Sequence, residues 1–490
     1  MRTNVILTLL GRLIFFLGIA MLLPLFWSLL FSVADVQVFL ISVLCTCLLG
    51  LILFWKRPLP DDLSLKEGFT FVTLAWICAA FFGCFPYLLS GTLHNFVDAF
   101  FESMSGFSTT GATVIEDIEI VPQGILLWRS FTQWLGGMGI IALFVALMPR
   151  LGYKGGSHLL RAEIPGPDAE KVVPRVTETA KALWFIYVVL TCLELILLLL
   201  SGFSFFDALN HTLTTMPSGG FSTKNASIGF FSNSVAEVII IAFMLMTGTN
   251  FTLYYNFWKG NKGAIFRDEE FRFYLMVIFV AVVFITINTF PGTYSSLTVA
   301  LRKGTFQVIS ILTSTGYSTD NFDQWPPLSK AILIALMFIG SCGGSTGGGM
   351  KQIRILIIMK YCYRELQKII HPTAVISLRV GEKRIPEETV QAIIGFSFFY
   401  FILIVINTLI MAALGLDLVS AFSISAATLG NVGPALGLVG PTQTYAAIPA
   451  VGKIVLSFIM LVGRLEIFTV LILLLPELRS FSLKKRNKIS

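Results

Sequence analysis

The segment Ser108-Thr109-Thr110-Gly111-Ala112-Thr113 has three counterparts further along the chain. They read Ser218-Gly219-Gly220-Phe221-Ser222-Thr223, Ser314-Thr315-Gly316-Tyr317-Ser318-Thr319 and Asn431-Val432-Gly433-Pro434, and the central glycines lie 109, 96 and 117 residues apart. The register extends beyond the glycine. Twelve residues earlier each copy carries a small residue: Ala99, Ala208, Gly304 and Ala421. Eight residues earlier stand Ser103, Thr212, Val308 and Ser425, three of them hydroxyl-bearing. Each copy follows an apolar segment too short to cross a bilayer and precedes one long enough to do so. An internal repeat of this kind is a stronger guide to the fold than any local motif.

Backbone carbonyls and hydroxyls can replace a cation's water shell without fixed charge. Aiming consecutive carbonyls at one axis needs backbone angles that glycine adopts cheaply. Non-helical backbone at membrane depth persists only where it is buried in protein or lines a water-filled path. Four such segments around one axis would form a cation selectivity filter. Its candidate residues are Thr109, Thr110 and Gly111; Ser218, Gly219 and Gly220; Ser314, Thr315 and Gly316; and Asn431, Val432 and Gly433.

Composition puts these segments in a membrane. Hydrophobic residues make up 55% of the 490 and charged residues 13%, with 44 phenylalanines and a mean hydropathy of +0.82. Soluble domains lie far from these values, and several apolar runs reach the roughly 20 residues that span a bilayer. The net charge of +7 does not point to nucleic acid, because Lys and Arg gather in alternate loops. They load the N-terminus, 56–66, 150–181, 259–272, 351–384 and the tail Lys484-Lys485-Arg486. The filter-side loops carry Glu116, Asp117, Glu119, Asp320 and Asp323, with only Lys224 opposing. The positive-inside rule then puts both termini in the cytoplasm and the filters outside. Arg2 and Arg12 flank a first apolar run long enough to span, so it is expected to be retained rather than cleaved as a signal. Seven cysteines lack paired metal-ligand spacing and read as small core residues. The histidines, His94, His158, His211 and His371, form no ligand cluster.

The expected architecture is an all-α polytopic membrane protein with ten spans and four re-entrant pore loops. Residues 1–60 form a helical pair outside the repeats, spanning at 8–31 and 37–55. Four helix–pore loop–helix repeats follow at 61–150, 151–260, 261–370 and 371–490, set with pseudo-fourfold symmetry around a central pore. Their return helices are expected at 124–149, 234–258, 328–362 and 449–475.

On these motifs the chain resembles, over its whole length, the membrane subunit of Trk-type potassium uptake systems within the Trk/Ktr/HKT superfamily. All four filter glycines are present, and Asn431-Val432-Gly433 departs most from the family's Ser/Thr-Thr-Gly pattern. The resemblance implies a bacterial inner-membrane protein that takes up potassium, with rubidium accepted, through a gated, channel-like pore. It implies no enzymatic chemistry and no organic cofactor. It also implies a homodimer whose cytoplasmic face docks an RCK-type nucleotide-binding regulatory subunit. Anionic membrane lipids would attract the same basic loops, and nucleic acid is not an expected partner. The extra pair at 1–60 fits as well, since Trk members carry it and Ktr members lack it.

Two further features bear on gating. The run Gly340-Ser341-Cys342-Gly343-Gly344-Ser345-Thr346-Gly347-Gly348-Gly349-Met350-Lys351 interrupts the third return helix. So many glycines cannot hold a helix in lipid, and a nucleotide-binding loop would need Gly-Lys-Ser/Thr after a strand. By the resemblance the run is an intramembrane gating loop under the filter, with Gly340, Gly343, Gly344, Ser345, Thr346, Gly347, Gly348, Gly349 and Lys351 as candidates. Gly136-Gly137-Met138-Gly139, Thr247-Gly248-Thr249 and Gly463 occupy comparable places in the other return helices, where a break and close helix packing are equally good readings. Arg464 lies inside the last span and must face protein or water. The resemblance matches it to an arginine below the fourth filter. The alternative is an ion pair with a buried acid, and Glu466, two positions on, faces a different side of the helix.

The acidic cluster Glu116, Asp117 and Glu119 either concentrates cations at the mouth or is a solvated loop. A sodium- or proton-coupled secondary cation transporter is the alternative function, since such proteins also use broken helices at mid-membrane. They usually show two inverted halves, whereas four copies with glycine at one register favour a pore. An intramembrane hydrolase would need paired carboxylates, a His/Glu metal motif or a Ser/His pair at depth, none of which is found in the sequence.

Overall fold

Proline and capping side chains set where the chain turns back on itself. A computed structural model of the chain describes residues 2–31, 33–55, 64–139, 176–261, 263–374 and 376–474. The linker at 56–63, the end of the first return span, most of the 150–181 loop, His158 and the basic tail lie outside the described residues. Three return helices start behind proline: Gln123–Gly137 after Pro122, Pro327–Ile339 after Pro326, and Ala450–Arg464 after Pro449. Proline suits this place because its fixed φ matches the helix and its missing N–H has no partner there anyway. Four short helices precede the glycine segments: Phe96–Phe107, Phe205–Thr215, Leu297–Leu312 and Leu418–Leu429. Side chains of Asn95, Ser204 and Asp417 accept backbone N–H groups at the start of three of them, satisfying donors that the helix itself leaves open.

Six helices among the described residues are long and apolar enough to cross a membrane. They are Thr3–Phe31, Val36–Phe54, Lys66–Leu89, Ala180–Leu200, Glu269–Thr289 and Glu387–Ala413, the N-terminal pair and the first helix of each later segment. Their outward faces are apolar: Phe279, Ile287 and Leu409 are 69%, 68% and 64% exposed, a surface suited to lipid. The N-terminal pair packs through small residues. A Cβ on Gly11 would come within 2.9 Å of the Gly50 carbonyl, and one on Gly50 within 2.6 Å of the Phe15 nitrogen. Such closeness of two backbones is how helices gain contact where lipid removes the hydrophobic drive.

The return segments expected at 234–258, 328–362 and 449–475 are broken, the second of them at the glycine-rich run where a break was expected. Ser234–Thr247 and Phe251–Trp258 meet at 91°. Pro327–Ile339 stops at Gly340, and the helix resumes only at Gln352–Ile370. Ala450–Arg464 gives way to the short turn Phe468–Leu471, with Glu466 and Ile467 at positive φ between them. The physical reason is the crowding at the small residues. A Cβ on Gly136 would overlap the Phe107 carbonyl, and one on Gly463 the Leu429 carbonyl. The two readings left open for these glycines therefore both hold: they pack against the ends of the short helices, and the return helices end beside them.

Two smaller departures follow. Among the described residues the all-α expectation fails only at a two-residue antiparallel pair, Arg379–Val380 with Lys383–Arg384. Of the seven free cysteines Cys84 and Cys342 are buried, Cys47 and Cys78 are half-buried against the core, and Cys45, Cys192 and Cys362 are exposed, so the core reading fails for those three.

One ion pair is deeply buried. Arg129 Nε lies 2.7 Å from Glu102 Oε1, with the two side chains 2% and 0% exposed. Glu102 also accepts Thr113 Oγ1 at 3.0 Å and the Val114 amide at 2.9 Å. Removing one partner strands the other charge, which typically costs about 3–5 kcal/mol. Arg129→Met should therefore lower the thermal unfolding midpoint in detergent strongly, and Arg129→Met with Glu102→Gln should recover part of the loss.

A ring of four glycine turns

Each glycine segment is built by the same hydrogen bonds. Just before the glycine, Thr110, Gly219, Thr315 and Val432 donate their amides five residues back, to Ser105, Thr214, Ser310 and Ala427, at 2.8–2.9 Å. Their predecessors Thr109, Ser218, Ser314 and Asn431 donate three residues back, to Gly106, Thr215, Ile311 and Thr428. The segments alternate in backbone hand. Gly111, Gly220, Gly316 and Gly433 have φ of 79°, 75°, 78° and 92°, and Thr109, Ser218, Ser314 and Asn431 have φ of 56°, 58°, 58° and 53°. Non-glycine residues rarely hold such angles unless the surroundings impose them. Asn431, the departure in the fourth copy, is the residue type that tolerates this conformation best after glycine.

The four segments close on one another in cyclic order. A Cβ on Gly111 would overlap the carbonyl oxygen of Gly219, one on Gly220 that of Thr315, one on Gly316 that of Val432, and one on Gly433 that of Thr110. Each glycine thus abuts the carbonyl that precedes the next glycine, and the fourth returns to the first. The loops above are tied in the same order. Ile118 N donates to Asn225 Oδ1 at 2.9 Å, Gly229 N to Ser318 O at 3.1 Å, Gly437 N to Asp323 Oδ1 at 3.2 Å, and Tyr445 N to Thr113 O at 2.8 Å.

Side chains nine residues before three of the four glycines support the outer limb. Glu102 holds Thr113 and Val114; His211 Nε2 lies 2.9 Å from Ser222 Oγ; Gln307 Nε2 donates to Tyr317 O at 3.2 Å. Ile424 stands at the fourth position, where Tyr445 Oη instead donates to Gly433 O at 2.5 Å. Thirteen residues before the third glycine, Lys303 reaches Glu237 at 2.8 Å and Thr319 O at 3.1 Å. The sequence reading missed these posts, although a polar residue at a fixed offset inside an apolar short helix was the available signal. It also credited only Lys224 with opposing the acids on this face. Lys303, Lys330 and Lys453 sit there too, with Lys453 2.6 Å from Asp98. Within the acidic cluster, Asp117 accepts Asn225 at 2.9 Å and Glu119 lies 3.5 Å from Lys224. These two acids brace loops as well as carrying charge.

On the other side of the ring lies the glycine-rich run. Thr346 Oγ1 is 3.0 Å from Ser218 Oγ and donates to Met216 O at 3.1 Å. Gly348 N donates to Ser314 Oγ at 2.6 Å, and a Cβ on Gly348 would overlap Gly430 O. The run therefore touches three of the four segments directly below the glycines. Glu270 Oε1 holds it at Gly343 N, 2.6 Å, and at Ile353 N, 3.0 Å. Gly340, Gly344 and Gly349 take positive φ, as does Lys351 at 79°, whose ammonium donates to Gly347 O. Ser345 Oγ lies 2.7 Å from Ser341 Oγ.

Arg464 ties the glycine-rich run to the end of the first return helix. Its guanidinium donates to three backbone carbonyls, Thr346 O at 2.9 Å and both Gly136 O and Gly137 O at 2.6 Å. Glu466, just beyond the helix end, is paired with Arg354. Among the described residues no group of three or more His, Cys, Asp or Glu side chains is arranged to hold a metal ion, so oxygens of the backbone and hydroxyls are the available cation donors at the ring.

Known proteins share this arrangement of chain. A family described as "TrkH: Cation transport protein" matches residues 35–484. The Trk system potassium uptake protein TrkH of Halomonas elongata is 40% identical over 97% of this chain and 99% of its own length. That of Escherichia coli K12 is 39% identical with the same coverage. The crystal structure of the potassium transporter TrkH from Vibrio parahaemolyticus superposes with a TM-score of 0.88 at 36% identity, covering 97% of this chain and 99% of that one. With nine-tenths of its length inside the family match and its fold shared with a solved member, the chain belongs to the TrkH family of cation transport proteins.

Proposed function

We propose that this protein takes up potassium across the cell membrane through a selective, gated, channel-like pore whose filter is the ring of four glycine turns. The observation that carries this reading is the cyclic contact of each filter glycine with the carbonyl of the next segment. Four carbonyls brought to one axis offer a dehydrated cation an uncharged oxygen cage. Potassium is the chosen cargo because the relatives are named as potassium uptake proteins, and rubidium should pass as its near equivalent. The four helix–loop–helix segments then act as pseudo-fourfold repeats, and ten crossings result when each broken return segment counts as one.

The glycine-rich run is the gate in this reading. It lies against the ring from below, and Arg464 joins it to the broken end of the first return helix. The basic stretch at 351–384 would meet the cytosolic nucleotide-binding subunit in a bacterial inner membrane with both termini cytoplasmic, and two copies of the chain would work as a homodimer.

Two outcomes follow. Gly111→Ser adds a side chain where the Gly219 carbonyl already sits, so the ring must widen or twist. The potassium-to-sodium permeability ratio, read from reversal potentials of the purified protein, should fall while flux persists, and an unchanged ratio would end the filter assignment. Arg464→Ala frees Thr346 and Gly136–Gly137 from a shared tether. Rubidium uptake per molecule into proteoliposomes should rise with selectivity nearly intact; lower flux together with a lowered unfolding midpoint would make the arginine purely structural.

A further inference from the structure

One oxygen of the ring is not like the other three. Among the described residues, the carbonyls of Thr110, Thr315 and Val432 accept no side-chain hydrogen bond, whereas Gly219 O accepts Gln133 Nε2 at 2.7 Å. Gln133 is fully buried and comes from the first return helix, so the bond crosses between two repeats. Its Oε1 accepts the Phe221 amide at 3.2 Å. One turn earlier on the same face, Arg129 donates to Ser222 O at 3.0 Å and lies 3.5 Å from the Phe221 ring centre. The second segment is thus held from behind at 219, 221 and 222. This also explains why Gly219 stands where the other copies carry Thr110, Thr315 and Val432: a Cβ there would run into the Gln133 amide.

We infer that Gln133 is a specificity-determining residue of the filter, acting as a positioning residue on the Gly219 carbonyl. The inference rests on the pore reading above. An amide donor on that oxygen draws off part of its negative charge and keeps it from swinging toward the axis. Both effects lower the field that a cation meets. Selectivity in such a ring depends on cavity size and on the field strength of the carbonyl dipoles. A free carbonyl would bind more strongly and move closer, and each change favours sodium, the smaller ion.

The test compares Gln133→Met, which keeps length but removes donor and acceptor, with Gln133→Glu measured at alkaline pH, where the ionised carboxylate keeps an acceptor for the Phe221 amide but lacks the donor. The full-length purified protein is reconstituted, and reversal potentials are measured under mixed potassium and sodium alongside rubidium flux. Both variants should lose about fivefold in the potassium-to-sodium ratio, the equivalent of one neutral hydrogen bond, with rubidium flux retained. A folded variant with the parent ratio overturns the inference, and a lowered unfolding midpoint with that ratio unchanged would mean Gln133 only packs. If Gln133→Met does not fold, Gln133→Glu decides. Gly111→Ser run in parallel separates the two levels: if it shifts the ratio and Gln133 does not, only this inference fails; if neither shifts it, the filter reading fails.

Discussion

The contact of a glycine Cα with a carbonyl oxygen of the neighbouring segment, repeated four times around a circle, is the constraint on which the rest of this structure depends. At Gly111, Gly220, Gly316 and Gly433 the next segment's carbonyl occupies the volume a Cβ would need. Positive φ at the same residues turns the chain so that successive carbonyls do not all point outward. The short helices end where they do to deliver these turns. The return helices end beside the glycine packing points because the ring and its support leave no room for side chains there.

Holding strained backbone at four non-glycine positions requires over-determined surroundings. The supply is uneven and local. Repeat one uses the buried Glu102–Arg129 pair, repeat two a histidine, repeat three a glutamine and a lysine, and repeat four a tyrosine from its own outer loop. The four turns share one backbone pattern while their props differ, so the ring is chemically asymmetric. The buried Glu102–Arg129 pair and the Lys303–Glu237 contact neutralise charge beside the ring, as burial favours.

Much of this was legible in the sequence. The spacing of the glycines and the offsets at Ala99, Ala208, Gly304 and Ala421 located all four turns, and the Gly340–Lys351 run announced its break through composition alone. The 91° bend after Thr247 was less legible, since Thr247-Gly248-Thr249 suits a break and close helix packing equally well. The partners of Arg464 could not be read at all, because they are carbonyls 118, 327 and 328 residues away in sequence and a carbonyl has no residue identity. Gln133 was hidden for a related reason: its role is visible only once Gly219 is known to lie against it. The outer lysines were miscounted because they sit on helices rather than in the loops where charge was tallied.

The central claim is that the four carbonyls before the filter glycines share one cation. Crystals grown in rubidium or thallium salts, with anomalous scattering recorded at the metal edge, test it most directly. The account predicts a peak on the axis between Thr110, Gly219, Thr315 and Val432, within coordination distance of all four oxygens. Anomalous peaks confined to other parts of the protein, with the ring empty, would contradict it.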